Sequence, residues 1–283
     1  MFRSSIFVLA ILVGSTLLTF SQSIPDGTFS LAGSVKRSQP TASFTGPTAE
    51  PVGVSRSVGS DAYVANNLAA GYFKEGRRDE AIELLKQATA AKPDVWNFQL
   101  NLSVALASTG DLDAALPYAR RAAELADNHT AQEELCTVLY QLKDSDATRC
   151  FEVLLKYPEA DNYDRVGYAG ALILDKQVKA AEPILREVIA SEPRFSAAYN
   201  SLGVDLFLQS RWKEAANAFR DAVSLDPDAA EPRVNLGLAL LRLGDRDAAI
   251  GQYRLLKTMS PAFAEQLYRR IFAAQIIYAP GDK

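Results

Sequence analysis

Two cysteines and one histidine are the side chains of this chain with the most evident covalent or metal-binding chemistry. Cys136 and Cys150 each lie six or seven residues from a predicted turn at Lys143-Asp144, so they would stand at matching heights on two antiparallel helices. Thiols placed in this way form a disulfide in an oxidising compartment. The alternative is a pair of free thiols buried between small residues. The sequence leaves both open.

The histidine and the paired carboxylates predict neither catalysis nor metal binding. His129 falls in a predicted turn, and we interpret it as a solvated turn residue because no carboxylate, cysteine or second histidine stands at ligand spacing. The pairs Asp79/Glu80 and Asp245/Asp247 stand where helices begin, and negative side chains favour the helix dipole there. The sequence contains no phosphate-cradling glycine loop and no nucleophile elbow. It therefore predicts no catalytic residue, no metal site and no cofactor.

The elements that would position these side chains are helix pairs, and residues 196–228 show the pattern most clearly. Apolar residues recur there at every third or fourth position on two helices. Small residues stand where the helices come close, and a proline ends the second helix. The pattern is carried by Tyr199, Leu202, Gly203, Leu206, Ala215, Phe219, Ala222 and Pro227. In type and spacing they resemble the tetratricopeptide repeat family, whose unit is a helix–turn–helix of about 34 residues.

The same register recurs along the chain. Steps of about 34 residues from Ala215 lead to Ala81, Ala115, Ala181 and Ala249. The repeats are predicted near 62–95, 96–129, 130–161, 162–195, 196–229 and 230–263, and the third departs from the register and is degenerate. The resemblance implies an all-α fold, an α-solenoid of about six helix–turn–helix repeats over 61–263. An amphipathic segment over 264–278 would cap its last open face.

Glycines mark several of the turns between paired helices. Gly76, Gly110 and Gly244 fall directly after predicted first helices. The residue that follows a helix commonly adopts the left-handed conformation, which glycine tolerates best. We therefore expect a positive φ angle at each of the three.

The first stretch of the chain has the composition of a targeting segment followed by a linker. Arg3 precedes an uncharged apolar run from Ile6 to Phe20, which is shorter than the roughly 20 residues of a membrane span. This favours a secretory signal peptide over 1–21, with an uncleaved anchor as the alternative. Residues 22–60 are rich in Ser, Thr, Pro and Gly and predict a disordered linker. We expect a periplasmic or secreted protein with no membrane span after signal cleavage.

Charge and the recurrence of asparagine indicate the class of partner. A net charge of −4 argues against nucleic-acid binding, which needs a basic surface. The resemblance implies a concave face lined by first helices, where asparagine amides could bond the backbone of an extended peptide and apolar neighbours could take its side chains. The predicted partner-binding residues are Asn67, Phe73, Asn97, Asn101, Val104, Asn200, Val204, Phe207, Asn235 and Leu238.

These observations predict an exported, non-enzymatic scaffold or assembly factor that binds a protein or peptide partner. Two alternatives stay open. One is an accessory subunit of an envelope enzyme complex, and the other is a structural homo-oligomer formed through the helix at 264–278. The sequence names neither the partner nor the pathway.

Overall fold

A computed structural model describes residues 8–13, 16–21 and 62–276 of the chain, with side chains over 62–272. Two short strands, β1 (Val8–Val13) and β2 (Thr16–Ser21), pair in a two-stranded sheet. They lie within the run interpreted as a signal peptide, and that interpretation stays a prediction. The linker predicted for residues 22–60 lies outside the described residues.

Six helix pairs and a final helix make up residues 62–276. The pairs are α1 (Ala62–Lys74) with α2 (Arg78–Ala91), α3 (Trp96–Thr109) with α4 (Leu112–Leu125), α5 (His129–Leu142) with α6 (Ala147–Leu154), α7 (Asn162–Leu174) with α8 (Val178–Ser191), α9 (Ser196–Leu208) with α10 (Trp212–Leu225), and α11 (Ala230–Arg242) with α12 (Arg246–Met259). The final helix is α13 (Pro261–Ile276). Residues 62–276 contain no strand, which confirms the predicted all-α fold class. None of these helices is both long and apolar enough to cross a bilayer.

Residues 62–276 divide into two compact units, 62–167 and 168–276, and the division falls within α7. In the first unit, α1 to α6 pack in chain order, and α3 also contacts α1 and α5. In the second unit, α8 to α13 pack in chain order, and α11 also contacts α9 and α13. Each unit therefore has the nearest-neighbour packing of a helical repeat array.

Small residues allow the paired helices to approach closely. The five alanines of the predicted register, Ala81, Ala115, Ala181, Ala215 and Ala249, are all fully buried. In the α9–α10 pair, a Cβ atom added to Gly203 would lie 2.5 Å from the nearest ring carbon of Phe219. The predicted close contact at Gly203 is thus confirmed. It leaves no space for even a methyl group.

The turns between paired helices share one backbone conformation. Gly76, Gly110 and Gly244 have φ angles of 78°, 88° and 81°, as the sequence predicted. Lys176 and Ser210 take the same conformation, with φ angles of 63° and 62°, in turns that carry no glycine. The backbone conformation therefore follows the fold even where the residue type does not favour it.

The third helix pair departs from the others in its second helix. α6 has 8 residues, whereas α2, α4 and α8 have 14 each. The turn between α5 and α6 spans residues 143–146, and the residues that this repeat lacks belong to α6. Lys143 ends α5 in the left-handed conformation with a φ angle of 57°. The degenerate repeat is therefore a full first helix with a truncated partner.

The last helix covers the end of the second unit. α13 begins at Pro261, where a proline is tolerated because the first N–H groups of a helix have no intrahelical partner. Leu267 and Ile271 are buried, and α13 packs against α11 and α12. A Cβ atom on Gly237 of α11 would lie 2.6 Å from a methyl carbon of Leu267. This contact is nearly as close as the one between Gly203 and Phe219.

We expect Gly203→Ala to lower the free energy of unfolding by about 1–3 kcal/mol, because the new methyl group must displace the buried ring of Phe219. Gly251→Ala in α12 is the matched control: nothing lies within 4 Å of its added Cβ, so the substitution should stabilise the helix by about 0.5–1 kcal/mol. Urea denaturation followed by circular dichroism measures both. Equal effects of the two substitutions would contradict the close contact.

Candidate functional site

The predicted partner-binding residues of the first unit differ in their exposure. Asn67 is exposed, whereas Phe73 and Val104 are half-buried. Asn97 and Asn101 are buried, with 6% and 3% of their surfaces exposed. Only part of the predicted set is therefore open to a partner in this unit.

The recurring asparagines bond to one another between successive first helices. Asn101 Nδ2 donates to Asn66 Oδ1 at 2.8 Å, and Asn235 Nδ2 donates to Asn200 Oδ1 at 3.0 Å. Both pairs are buried and join residues 35 positions apart. The structure thus gives these amides a packing role, since a buried amide must find a hydrogen-bond partner. The sequence had assigned three of these four, Asn101, Asn200 and Asn235, to the backbone of a bound peptide.

The predicted residues of the second unit are buried. Val204, Phe207 and Leu238 have 0%, 5% and 4% of their surfaces exposed. The guanidinium carbon of Arg242 lies 5.9 Å from the ring centroid of Phe207 and 5.9 Å from that of Trp212. This cation–π arrangement packs Phe207 between helices. The sequence did not identify Arg242 or Trp212.

Asn67 is the exposed member of a short amide chain on α1. Asn66 accepts from Asn101 and donates through its Nδ2 to Asn67 Oδ1 at 3.4 Å. The buried bond fixes the first amide, and the longer one orients the second at the surface. Phe73 on the same helix and Val104 on α3 pack against separate buried clusters and are half-buried. We call Asn67, Phe73 and Val104 the first-helix surface.

His129 is not the solvated turn residue that the sequence predicted. It is the first residue of α5 and is buried, with 8% of its surface exposed. Its Nε2 lies 2.7 Å from Asp164 Oδ2, and its Nδ1 lies 3.8 Å from Glu133 Oε2. Glu133 follows His129 by one helical turn, so the expectation that no carboxylate stands at ligand spacing is wrong. The third partner, Asp164, is remote in sequence and reaches His129 only through the fold.

Asp164 is held in place by the start of α7. Asp161 Oδ1 accepts from the backbone N–H groups of Tyr163 and Asp164, and Asp164 Oδ2 accepts in return from the N–H of Asp161 at 3.0 Å. This reciprocal arrangement is a capping box. It fixes the rotamer of Asp164 and therefore fixes the oxygen that faces His129.

The carboxyl group of Glu134, next to Glu133 on α5, has a raised pKa. Burial raises the pKa of Glu134 to about 7, and the neighbouring charge of Glu133 raises it further, whereas the hydrogen bond from Ser103 opposes the shift. Ser103 Oγ donates to Glu134 Oε1 at 2.7 Å and ties α3 to α5. The start of the third pair thus brings several acidic groups close together.

The second unit contains a buried carboxylate of its own. Asp205 is fully buried in α9, and Oδ2 accepts from Gln209 at 2.7 Å. Its Oδ1 has no hydrogen-bond partner among the described residues, and neither has Ser201 Oγ one turn earlier. Burial therefore raises the pKa of Asp205 to about 6, and the charge of Glu182 raises it further. The Gln209 bond and the guanidinium of Arg211 act in the opposite direction.

A disulfide joins the two helices of the third pair. Cys136 of α5 and Cys150 of α6 are bonded through their sulfurs, with their Cα atoms 5.3 Å apart. Both residues are buried, and Gln132 Nε2 lies 3.2 Å from the sulfur of Cys150. An isolated helix as short as α6 is marginal in water. The bond therefore fixes the shortest described helix to its partner.

Comparison with known proteins finds similarity in the part of the chain that forms the helix pairs. The profile of the tetratricopeptide repeat matches residues 66–130, 176–230 and 202–262, which together cover more than half of the chain. Human protein O-mannosyl-transferase TMTC1 is 27% identical over 183 residues, which are 64% of this chain and 17% of that protein. The chain therefore spans about a sixth of the length of this relative.

Solved structures resemble the helical part of the chain. A tetratricopeptide repeat protein from Parabacteroides merdae has a TM-score of 0.66 at 17% identity, covering 75% of this chain and 84% of that one. PilW, a type IV pilus biogenesis factor, has a TM-score of 0.61 at 18% identity, covering 71% and 94% respectively. At these identities the likeness shows the fold alone.

The disulfide leads to a prediction about reduction. Opening it should lower the melting temperature by about 5–10 °C, because a bridge over a loop of this length stabilises by about 3 kcal/mol. Calorimetry with and without reductant measures the shift, and the double variant Cys136→Ala/Cys150→Ala should show none. The untreated, denatured protein should contain no titratable thiol. Two titratable thiols together with an unchanged melting temperature would contradict the bond.

The raised pKa of Asp205 leads to a prediction about pH. Asp205 binds its proton more tightly in the folded protein than in the unfolded chain, so its ionisation lowers the free energy of unfolding. This loss of stability develops as the pH rises from about 4 to about 6. Asp205→Asn should therefore raise the unfolding free energy by about 1–2 kcal/mol at pH 8 and by much less at pH 4. Asp221→Asn removes an exposed carboxylate and serves as the control. If the unfolding free energies of Asp205→Asn and the unaltered chain differ by the same amount at every pH, the raised pKa of Asp205 is contradicted.

Proposed function

Because the chain belongs to the tetratricopeptide repeat family, we propose that it is an exported, non-enzymatic scaffold or assembly factor. It binds an extended segment of a protein partner through the first-helix surface of residues 62–167. The observation that carries this proposal is the exposed amide of Asn67, held at the surface by the Asn101–Asn66 bond and accompanied by the half-buried Phe73 and Val104.

The chemistry of this surface suits a peptide backbone. A side-chain amide donates and accepts, so Asn67 can bond to both polar groups of one peptide unit. Phe73 and Val104 offer apolar area on neighbouring first helices, since α1 contacts α3. An oriented amide and fixed apolar groups lose little conformational freedom when a ligand binds, which favours affinity.

Two features support an exported location. The bond between Cys136 and Cys150 is of a kind that persists in oxidising compartments and is rare in reducing ones. The apolar run from Ile6 to Phe20 follows a basic residue, as in secretory signals. The assembly role is compatible with the fold, because a pilus biogenesis factor shares it.

One observation favours a second candidate, a homo-oligomer formed through the last helices. Leu255, Met259 and Tyr268 are exposed on α12 and α13, with 48%, 36% and 37% of their surfaces accessible. The ring of Tyr268 lies 4.6 Å from that of Phe272, so the aromatic surface extends along α13. A second copy of the chain could cover these residues.

The proposal predicts where a partner can be crosslinked. A photo-reactive amino acid at Asn67 should capture a specific protein in the native host, whereas one at Glu83, exposed on the second helix α2, should not. A peptide of the captured segment should bind the purified chain, and Asn67→Arg should weaken binding at least about tenfold, as for a central contact worth 1.4 kcal/mol or more. Glu83→Arg should leave the affinity unchanged.

Other outcomes of this experiment separate the candidates. Capture at Glu83 with none at Asn67 would contradict the first-helix surface. Capture of a second copy of the chain, from a crosslinker placed at Leu255, would support the homo-oligomer instead. A captured peptide that binds the Asn67→Arg variant as tightly as the unaltered chain would also refute the proposed surface.

A further inference from the structure

We propose that His129, Glu133 and Asp164 form a binding site for a divalent transition-metal ion, with Zn²⁺ as the best match. The site lies where α5 and α7 begin, within residues 62–167. It is separate from the first-helix surface and does not depend on the proposed partner binding.

The three side chains converge on a small volume. One ligand atom from each lies within 4.8 Å of the ligand atoms of the other two. His129 and Glu133 are one turn apart on α5, a spacing at which two side chains share one helix face. Asp164 comes from α7, and its capping box holds Oδ2 at 2.7 Å from His129 Nε2. The donor atoms of His129 and Asp164 are therefore held close together before any ion arrives, with Glu133 nearby.

The ligand types match zinc better than they match other common divalent ions. One imidazole nitrogen with two carboxylate oxygens is a mixed set, whereas calcium and magnesium prefer oxygen donors alone. Tetrahedral bonds of about 2.0–2.2 Å place neighbouring donors about 3.3 Å apart. The Nε2 to Oδ2 distance would thus open by roughly half an ångström, and Glu133 would move inward. A water molecule would complete the coordination.

The charge of the region favours a dication. Residues 127–165 contain nine carboxylate side chains and four basic ones, an excess of five negative charges, whereas the whole chain carries a net charge of −4. A neutral imidazole and two carboxylates carry two negative charges, which one dication neutralises. Because Asp164 and His129 have side-chain exposures of 2% and 9%, an uncompensated charge here is costly.

Binding would move the ring proton of His129 from one nitrogen to the other. The carboxylate of Asp164 only accepts hydrogen bonds, so Nε2 of His129 carries the proton in the hydrogen bond between them. When the ion binds, the N–H bond at Nε2 breaks and an N–H bond forms at Nδ1 by exchange with solvent, so the ring stays a neutral imidazole while Nε2 and the carboxylate oxygen bind the metal. Glu133 has 28% of its side chain exposed, so an ion can reach the site from solvent on the side of this residue.

The composition of the chain makes the site testable without interference. His129 is the only histidine in the sequence, so its ring signals are unambiguous in a tag-free protein. The two cysteines are joined to each other and offer no competing thiolate. An observed change at the histidine ring therefore reports on this site alone.

The test is a titration of the full, tag-free, ¹⁵N-labelled chain with ZnCl₂ at neutral pH. We expect the ring-nitrogen signals of His129 to shift and to saturate at one equivalent, and competition with a chromogenic chelator gives the affinity. Glu133→Gln should weaken binding at least about tenfold. Glu159→Gln removes an exposed carboxylate from the same acidic stretch and should change the affinity less than twofold.

Three results would overturn the site. His129 signals that do not respond to Zn²⁺ would show that the imidazole serves only as a hydrogen-bond partner of Asp164. Shifts that do not saturate, or equal weakening by Glu133→Gln and Glu159→Gln, would show general attraction to an acidic surface. Since Asp164→Asn and His129→Gln also alter buried contacts, the decisive variant is Glu133→Gln, with circular dichroism to confirm that it folds.

Discussion

The close approach of paired helices is the constraint on which the rest of the structure depends. Each helix of this chain has an apolar stripe that must be covered by its neighbours, because burying apolar surface is the main favourable contribution to folding. The approach needs small residues at fixed places. Ala81, Ala115 and Ala215 are fully buried, and Gly203 lies against the ring of Phe219 with no room for a methyl group. Turn conformations and neighbour contacts follow from this spacing.

Close packing also determines what happens to polar side chains. An amide enclosed between two first helices must bond within the protein, and Asn101 and Asn235 do so with Asn66 and Asn200. The recurrence of asparagine in the sequence thus reflects a repeated contact between helices. Among the five asparagines predicted to bind a partner, all of them in the described part of the chain, only Asn67, at the outer end of such a contact, is exposed. The packing between first helices therefore also orients the exposed amide of the candidate binding surface.

The sequence predicted the helix pairs because a period of 3.6 residues and a recurring register are local signals. It predicted the glycine turns but not the left-handed Lys176 and Ser210, since the fold imposes that conformation on residues that do not favour it. It missed the contact between His129 and Asp164, which are 35 positions apart and meet only through helix packing. Whether an asparagine faces a groove or a neighbouring helix likewise depends on tertiary contacts that no single-sequence pattern encodes.

The least regular helix pair carries most of the distinctive chemistry, and the packing explains why. The short helix α6 can bury fewer apolar residues than its counterparts, so other interactions have more influence on whether this pair is ordered. A covalent bond through Cys136 and a buried pair between His129 and Asp164 act at this place. Because each helix in an array contacts mainly its neighbours, such changes need not disturb distant pairs. An irregular helix pair is therefore a position at which a repeat protein can gain a binding site with little loss of stability elsewhere in the fold.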